Sequence, residues 1–551
     1  MIERFCRTEY SSYEDFKQNF TINIPENFNY AYDVVDEWAR IEPDKTALVW
    51  CDDTGASRTF SFSDISVISK KTANALVSLG ISKGDCVMMM LKRRYEYWII
   101  TMALCRLGAI AIPATNQLTS KDIKYRTDMA DVKLLITVDN EGICGYIDEV
   151  LDNSSGCKKA TVAGKREGYI DFSALMDSSS EDFRRPTGDN ATKNEDVMLC
   201  YFTSGTTGMP SMVVHDFTYP LGHILTAKFW QDLKETDLHF TSADTGWAKA
   251  SWGKLYGQWI CGAAVFAYDY SSKFKPTDFL KLIGEYKITT FCAPPTTYRF
   301  FVKEDMGNYD LSSLRACYIA GEPLNPEVFN RWKEYTGIEL REGFGQTETP
   351  VIIAANLWVD PKSGSTGKPM PWLNAVLLDE NGEKCEAGIE GEICIPISER
   401  HPAGLFIEYK KNPEKTAESF HDGYYHTGDM AWYDEEGYYW FVGRNDDVIK
   451  SSGYRIGPFE VESALLTHPA VLETAITAVP DPTRGQIVKA TVVLTKDYTP
   501  SDELIKELQN HVKHVTAPYK YPRIVEFVDA LPKTYSGKIR RVEIRKKDYE
   551  K

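Results

Sequence analysis

Tyr201-Phe202-Thr203-Ser204-Gly205-Thr206-Thr207-Gly208-Met209-Pro210 is the run around which this chain is organised. It follows Val197-Met198-Leu199-Cys200, an apolar segment with the character of a buried strand. From Thr203 to Gly208 it sets four hydroxyls and two glycines in six residues, a composition that favours neither helix nor strand. Glycine admits positive φ and close backbone approach, and free amides and hydroxyls offer donors to phosphate oxygens. No Gly-Lys-[Ser/Thr] closes the loop, so it is not a Walker A motif. Taken alone, the run is equally a polar surface turn, and its neighbours decide between the two.

Upstream, Tyr30 to Arg40 puts Ala31, Val34, Val35 and Trp38 on one helical face, and Thr46-Ala47-Leu48-Val49-Trp50 reads as a strand. Cys86-Val87-Met88-Met89-Met90, Ala109-Ile110-Ala111-Ile112-Pro113 and Leu134-Leu135-Ile136-Thr137-Val138 alternate with helical patterns. Near-continuous apolar strands between helices predict doubly wound α/β layers. Downstream, His215-Asp216-Phe217 is expected to open a helix. Strand-like Ile288 to Ala293 and Ala316 to Ala320 follow, the latter running into Gly321-Glu322-Pro323. Another strand reaches Leu340-Arg341-Glu342 and breaks at Gly343-Phe344-Gly345-Gln346-Thr347-Glu348-Thr349, which lacks the third glycine of a dinucleotide fingerprint but offers one acid among hydroxyls and an amide, suited to Mg²⁺. Trp247, after Gly246 in a polar turn, stands out from the aromatic residues between it and Trp259 as a candidate pocket wall.

Further on, Thr427-Gly428-Asp429 and the strand Gly437 to Arg444 lead to Asp446-Asp447, two acids marking a domain boundary. The remainder reads as a compact α+β unit. Pro458 opens one helix, and Thr499 and Pro500 are expected to cap and begin another carrying Leu504, Ile505, Leu508, Val512 and Val515. The fold class is therefore α/β, with a large domain over 1–445 and a smaller α+β domain over 446–551. At 551 residues the chain exceeds the size at which one core keeps growing, as this division requires.

Net charge of -16 disfavours non-specific attraction to nucleic acid or anionic lipid, so any phosphate site must be local. Twelve cysteines without a CxxC pair read as reduced core thiols of a cytoplasmic protein. Met-Ile-Glu-Arg-Phe lacks the apolar core of a signal peptide, and the longest apolar run, Tyr97 to Ala114, is broken by Arg106 and Gly108. No membrane span is expected.

With these segments in hand, the chain resembles the adenylate-forming family of acyl-CoA synthetases, adenylation domains and luciferases. Thr203 to Pro210 is similar to the family's phosphate loop, Gly343 to Thr349 to its Tyr/Phe-Gly-x-Thr-Glu motif, and Thr427-Gly428-Asp429 to its ribose motif. Gly443-Arg444-x-Asp446-Asp447 resembles the hinge, and Pro532-Lys533-Thr534-x-Ser536-Gly537-Lys538 the C-terminal lysine motif. Asp244-Thr245-Gly246-Trp247, Lys254 to Trp259 and Ser452 to Pro458 look most like medium-chain acyl-CoA synthetases, including members that prefer short branched acids.

The resemblance implies an AMP-forming acid–thiol ligase that uses ATP, Mg²⁺, CoA and a small carboxylic acid, with rotation of a mobile small domain between half-reactions. It implies nucleotide contacts from Thr203, Ser204, Gly205, Thr206, Thr207 and Gly208, from Gly321, Glu322 and Pro323, and from Glu342, Gly343, Phe344, Gly345, Gln346 and Thr347. Asp429 and Arg444 would bind ribose, Glu348 with Thr203 would hold Mg²⁺, and Lys538 would bridge the acyl carboxylate and α-phosphate. Trp247, Lys254, Trp259 and Gly321 would line the acyl pocket, with Asp446 as hinge. Ser452, Gly453, Tyr454, Arg484, Tyr519, Lys520 and Tyr521 are the CoA candidates, and Arg455 a phosphate or carboxylate contact. One departure stands out: the family's phosphate loop ends Pro-Lys, whereas here Pro210 precedes Ser211. An enzyme loading a carrier protein, or a silent nucleotide- or acyl-binding relative, are the alternatives. The chain ends shortly after Lys538, which favours free CoA over a carrier.

Overall fold

The long apolar strands are the frame of the molecule. The computed structural model describes residues 1–551 except 153–155, 204–208, 272, 322–325, 452–453, 535–538 and 550–551, and the side chains of Arg455 and Tyr549 also lie outside the description. The predicted Ser204 to Gly208, Glu322, Pro323, Ser452, Gly453 and Lys538 therefore fall outside it.

Among the described residues, four sheets form. In the first, of nine strands, Leu340–Phe344, Ala316–Ala320, Thr290–Ala293, Leu238–Thr241, Ala264–Asp269 and Thr46–Asp52 lie side by side and parallel. In the second, of eight strands, Val197–Thr203, Ile110–Pro113, Cys86–Met90, Leu134–Val138, Lys158–Val162 and Ile170–Asp171 are parallel. Cys86–Met90 and Leu134–Val138 are buried throughout, as strands covered on both faces must be. A third, antiparallel sheet contains Gly391–Pro396, Tyr424–Tyr433 and Tyr439–Arg444. The fourth begins at Ile449–Ser451 and is built on the hairpin Val471–Asp481 and Gly485–Leu494. It has its own core of Ile449, Val461, Leu465, Ile476, Val492, Leu508 and Val512.

Two local expectations are corrected. His215 and Asp216 end a strand, Ser211–Asp216, rather than open a helix, because Met212, Val213 and Val214 are buried between Val197–Thr203 on one side and Glu408–Tyr409 on the other. The helix expected to begin at Pro500 is Asp502–Val515, capped by Ser501, whose Oγ accepts from the Leu504 amide at 3.1 Å. A hydroxyl one residue before the acidic first turn of Asp502 and Glu503 is the better cap. No helix among the described residues is long and apolar enough to cross a membrane.

Candidate active site

In parallel sheets, ligands bind in the crevice outside the carboxyl ends of the strands. Gly321 follows Ala316–Ala320 at such an end, and Gly345 follows Leu340–Phe344 beside it, with Ala320 and Gly343 in register. The glycines at 343 and 345 are required by close approach. A Cβ on Gly343 would lie 2.5 Å from the Trp230 ring, and one on Gly345 2.4 Å from Trp252. The turn is thus seated on two indoles, which leave no room for a side chain.

Beyond Gly345 the backbone is braced from three directions. The Gln346 amide donates to Thr349 Oγ1 at 3.0 Å, and His215 Nε2 donates to the Thr347 carbonyl at 2.9 Å. Burial pushes His215 down to about 3, so it is a neutral donor at physiological pH. Glu348 is buried, and its Oε1 accepts from the Tyr409 hydroxyl at 2.8 Å. Tyr409 sits on the strand paired with the exit of the glycine-hydroxyl loop, so that loop and the acid share one scaffold. Thr203 and Ser211 are cross-strand partners at the loop's two ends.

Gln346 also links the turn to the third sheet. Its Nε2 donates to the Thr427 carbonyl at 2.8 Å and to Asp429 Oδ2 at 2.5 Å, while its Oε1 accepts from Tyr425 at 2.7 Å. Asp429 is opposite Arg444 in the register of two paired strands, with Oδ1 and Nη1 3.9 Å apart. Gly428 has φ of 71° and its amide donates to Glu392 Oε1 at 2.7 Å, which turns the chain and aims Asp429. Desolvation opposes the charge of Arg444, but the carboxylates of Asp429, Asp446 and Glu348 outweigh it and hold its pKa above the usual value. An open cleft of about 380 Å³ is lined by Gly428, Arg444, Asn445 and Asp446.

The sequence-predicted nucleotide residues Glu342 to Glu348, Asp429 and Arg444 therefore meet in one place. Sequence reading missed Tyr409, Tyr425, Glu392 and His215, which brace them. Tyr409, Glu392 and His215 come from strands remote in sequence from the groups they brace, Tyr425 is remote from Gln346, and none carries a motif of its own.

A model of the AMP-binding enzyme family matches residues 35–397, and one of the AMP-binding enzyme C-terminal domain matches 460–538. The chain belongs to the AMP-binding enzyme family. It is 43% identical to mouse acyl-coenzyme A synthetase ACSM3, mitochondrial, over 98% of this chain and 94% of that one. It is also 43% identical to human ACSM5, mitochondrial, over 96% and 92%. Among solved structures, an anthranilate CoA ligase, AuaEII, in complex with anthranoyl-AMP superposes with a TM-score of 0.87 at 30% identity, over 96% of this chain and 98% of that one. A Brucella canis acyl-CoA synthetase gives 0.70 at 31%, over 95% and 94%.

These relatives overturn the cytoplasmic expectation, since ACSM3, ACSM4 and ACSM5 are all named mitochondrial. The thiols could not decide it: all twelve are buried, which reports packing and not compartment.

The aromatic candidates separate. Trp247 is half-buried in a turn where the Gly246 amide donates to Asp244 Oδ1 at 2.9 Å. Trp259 is enclosed by Phe62, with Nε1 donating to the Ala47 carbonyl at 2.9 Å and its own carbonyl accepting from Trp38. Trp259 is a core side chain, and its assignment to an acyl wall is corrected accordingly. Lys254 is fully buried, its amine has no hydrogen-bond partner among the described residues, and desolvation followed by Arg93 pushes it down to about 7.

In the smaller unit, Tyr454 and Tyr519 stack with centroids 4.2 Å apart, and both are exposed. Lys520 pairs with Glu460 at 2.5 Å, while Tyr521 packs under Lys513 and Arg523. Arg484 is exposed in the turn before Gly485, which pairs with Ser451. Asp446 approaches Arg444 Nε at 3.7 Å, and its neighbour Asp447 is held by Arg541 and Arg545 of the last helix, Arg541–Tyr549.

Proposed function

We propose that this chain converts a carboxylic acid to its CoA thioester through an acyl-adenylate. It is an AMP-forming acyl-CoA synthetase. The observation that carries the reading is the junction at Gln346, which ties the turn bearing Glu348 to the Asp429–Arg444 pair. A nucleotide held by its ribose at Asp429 and Arg444 would then extend its phosphates toward Glu348 and the loop rooted at Thr203 and Ser211.

In the first half-reaction a carboxylate oxygen attacks the α-phosphorus, the bond to the β-phosphate breaks and pyrophosphate leaves. The barrier is mostly repulsion among oxyanions, so fixed donors and cations lower it. Thr203 to Gly208 is assigned to the outer phosphates, and Lys538 to the bridge between acyl carboxylate and α-phosphate, a task that suits a compact cation on a flexible stem. The site fits Mg²⁺ as substrate chemistry favours it, with one protein carboxylate beside phosphates. Glu348 meets that description, since Tyr409 fixes one of its oxygens. Bound there with Thr203 nearby, the ion would neutralise phosphate charge.

In the second half-reaction the CoA sulfur attacks the acyl carbonyl and AMP departs. The domains proposed are 1–445 and 446–551, with Asp446 as pivot and Ser452, Gly453, Tyr454, Arg484, Tyr519 and Lys520 meeting CoA. The exposed Tyr454–Tyr519 stack supports that assignment by offering a paired aromatic surface, apolar on its faces and polar at its hydroxyls, that a ligand can cover. Trp247, Lys254 and Gly321 are proposed to face a short branched or medium-chain acyl group. Measuring AMP formation over a panel of carboxylic acids, with and without CoA, tests the reading. It requires acid-dependent AMP release that CoA accelerates, and turnover indifferent to every acid would refute it.

A further inference from the structure

The phosphate loop of this chain lacks a lysine at Ser211, yet a lysine reaches that position from elsewhere. Lys415 Nζ donates to Ser211 Oγ at 2.8 Å. The topology explains how. Ser211–Asp216, the strand leaving the loop, pairs with Glu408–Tyr409, and Asn412 then caps the short helix Pro413–Ser419 by accepting from the Lys415 amide. That turn aims Lys415 back along the sheet edge, where its ammonium lies 4.1 Å above the Tyr409 ring.

Three further observations suggest a ligand for this cation. Among the described residues, Lys415 has no ion-pair partner, although it is half-buried. Burial depresses its pKa, Glu348 opposes that and Arg444 adds to it, so the ammonium lies in the field of the nucleotide-site charges. Tyr409 links the two groups directly, with Lys415 on its face and Glu348 on its hydroxyl. A cation held half out of water without a carboxylate is costly unless an anion completes it.

We propose that Lys415 is a phosphate-binding residue that replaces, from a different element, the cation missing at Ser211, and that it contacts the β- and γ-phosphates of ATP and the departing pyrophosphate. This rests on the adenylate-forming reading above. The role is electrostatic: the ammonium donates to phosphate oxygen in the ground state and stabilises the charge that grows on pyrophosphate as the bond to the α-phosphorus breaks.

The test uses the full chain and four variants, Lys415→Met, Lys415→Arg, Ser211→Lys and Ser211→Lys with Lys415→Met. Loss of one charge-assisted bond is expected to raise the KM for ATP and the inhibition constant of pyrophosphate by about 10- to 100-fold in Lys415→Met. Lys415→Arg should retain most of the affinity. The double variant, with the cation returned to the loop, should recover to within about threefold, a rescue that a structural role for Lys415 would not give. Wild-type turnover with unchanged ATP and pyrophosphate constants in Lys415→Met, or a loss that Ser211→Lys fails to restore, overturns the inference alone. Absence of ATP–pyrophosphate exchange from the wild type with every acid overturns the catalytic reading instead. The inference is then decided by direct ATP binding to the wild type and Lys415→Met, where equal affinity refutes it.

Discussion

The faces proposed for nucleotide and for CoA are built differently. On the proposed nucleotide face, Gln346 binds Thr427, Asp429 and Tyr425 together, and Glu348, Thr347 and Gly428 are each fixed by a side chain from another strand. On the face assigned to CoA, Tyr454 and Tyr519 are exposed and stacked on each other, and Arg484 is exposed in a hairpin turn. Adenylation needs donors already in place when charge develops, whereas a thiol that arrives second can be met by groups that assemble around it. The contrast is between a half-site already braced by hydrogen bonds and one proposed to be completed by motion.

The largest effect should follow from breaking the preorganised side at its acid. Glu348→Ala is expected to lower ATP–pyrophosphate exchange by about 10²- to 10³-fold, as for removal of one transition-state electrostatic contact. Tyr409→Phe should cost about 10-fold, because it frees Glu348 without removing it. Equal losses in the two variants would show that Tyr409 does more than brace the acid.

Next is the seat of the turn. Gly345→Ala forces Trp252 and the Pro350 carbonyl apart from a Cβ they would meet at 2.4 and 2.5 Å. Overpacking of this kind costs about 1–3 kcal/mol. Thermal unfolding should report a fall of about 1–3 °C, together with weaker ATP binding, and an unchanged melting temperature with unchanged ATP binding would mean the turn can move off its indole.

The other face should respond more mildly and only in the second step. Tyr454→Ala is expected to raise the KM for CoA about 10-fold while exchange measured without CoA changes less than threefold. A matching loss in exchange would erase the distinction between the faces.

The smallest effect is at Lys254. Its folded pKa, about 7, is depressed from an ordinary 10.5. Between those values the unfolded chain binds the proton that the folded chain lacks, so this residue makes stability rise with pH. Lys254→Met should therefore gain most over the wild type near pH 6–7, with the difference in melting temperature shrinking toward pH 9. A difference independent of pH would place the amine in a polar setting.

Much of this was legible in the sequence where the signal is local. Cys86–Met90 and Leu134–Val138 could be read as buried strands because a strand covered on both faces needs an unbroken apolar run. Gly343, Gly345, Glu348 and Asp429 stood out because their chemistry is packed into short motifs. Long-range partners were silent. Tyr409 is one tyrosine among 31 until the register brings it to Glu348, and Lys415 looks like any helical lysine until its strand pairs beside Ser211. His215 and Asp216 misled for the same reason, since their strand character comes from pairing with the remote Val197–Thr203. Trp259 shows the converse: its aromatic neighbourhood suggested a pocket, and Trp38 and Phe62 make it core.

Single-turnover chemistry without CoA tests the central contrast most directly. Enzyme mixed with ATP and a carboxylic acid it accepts should form about one equivalent of bound acyl-adenylate, and CoA added afterwards should discharge it as AMP and thioester. If no acyl-adenylate forms until CoA is present, the nucleotide face is not complete on its own and the account is contradicted.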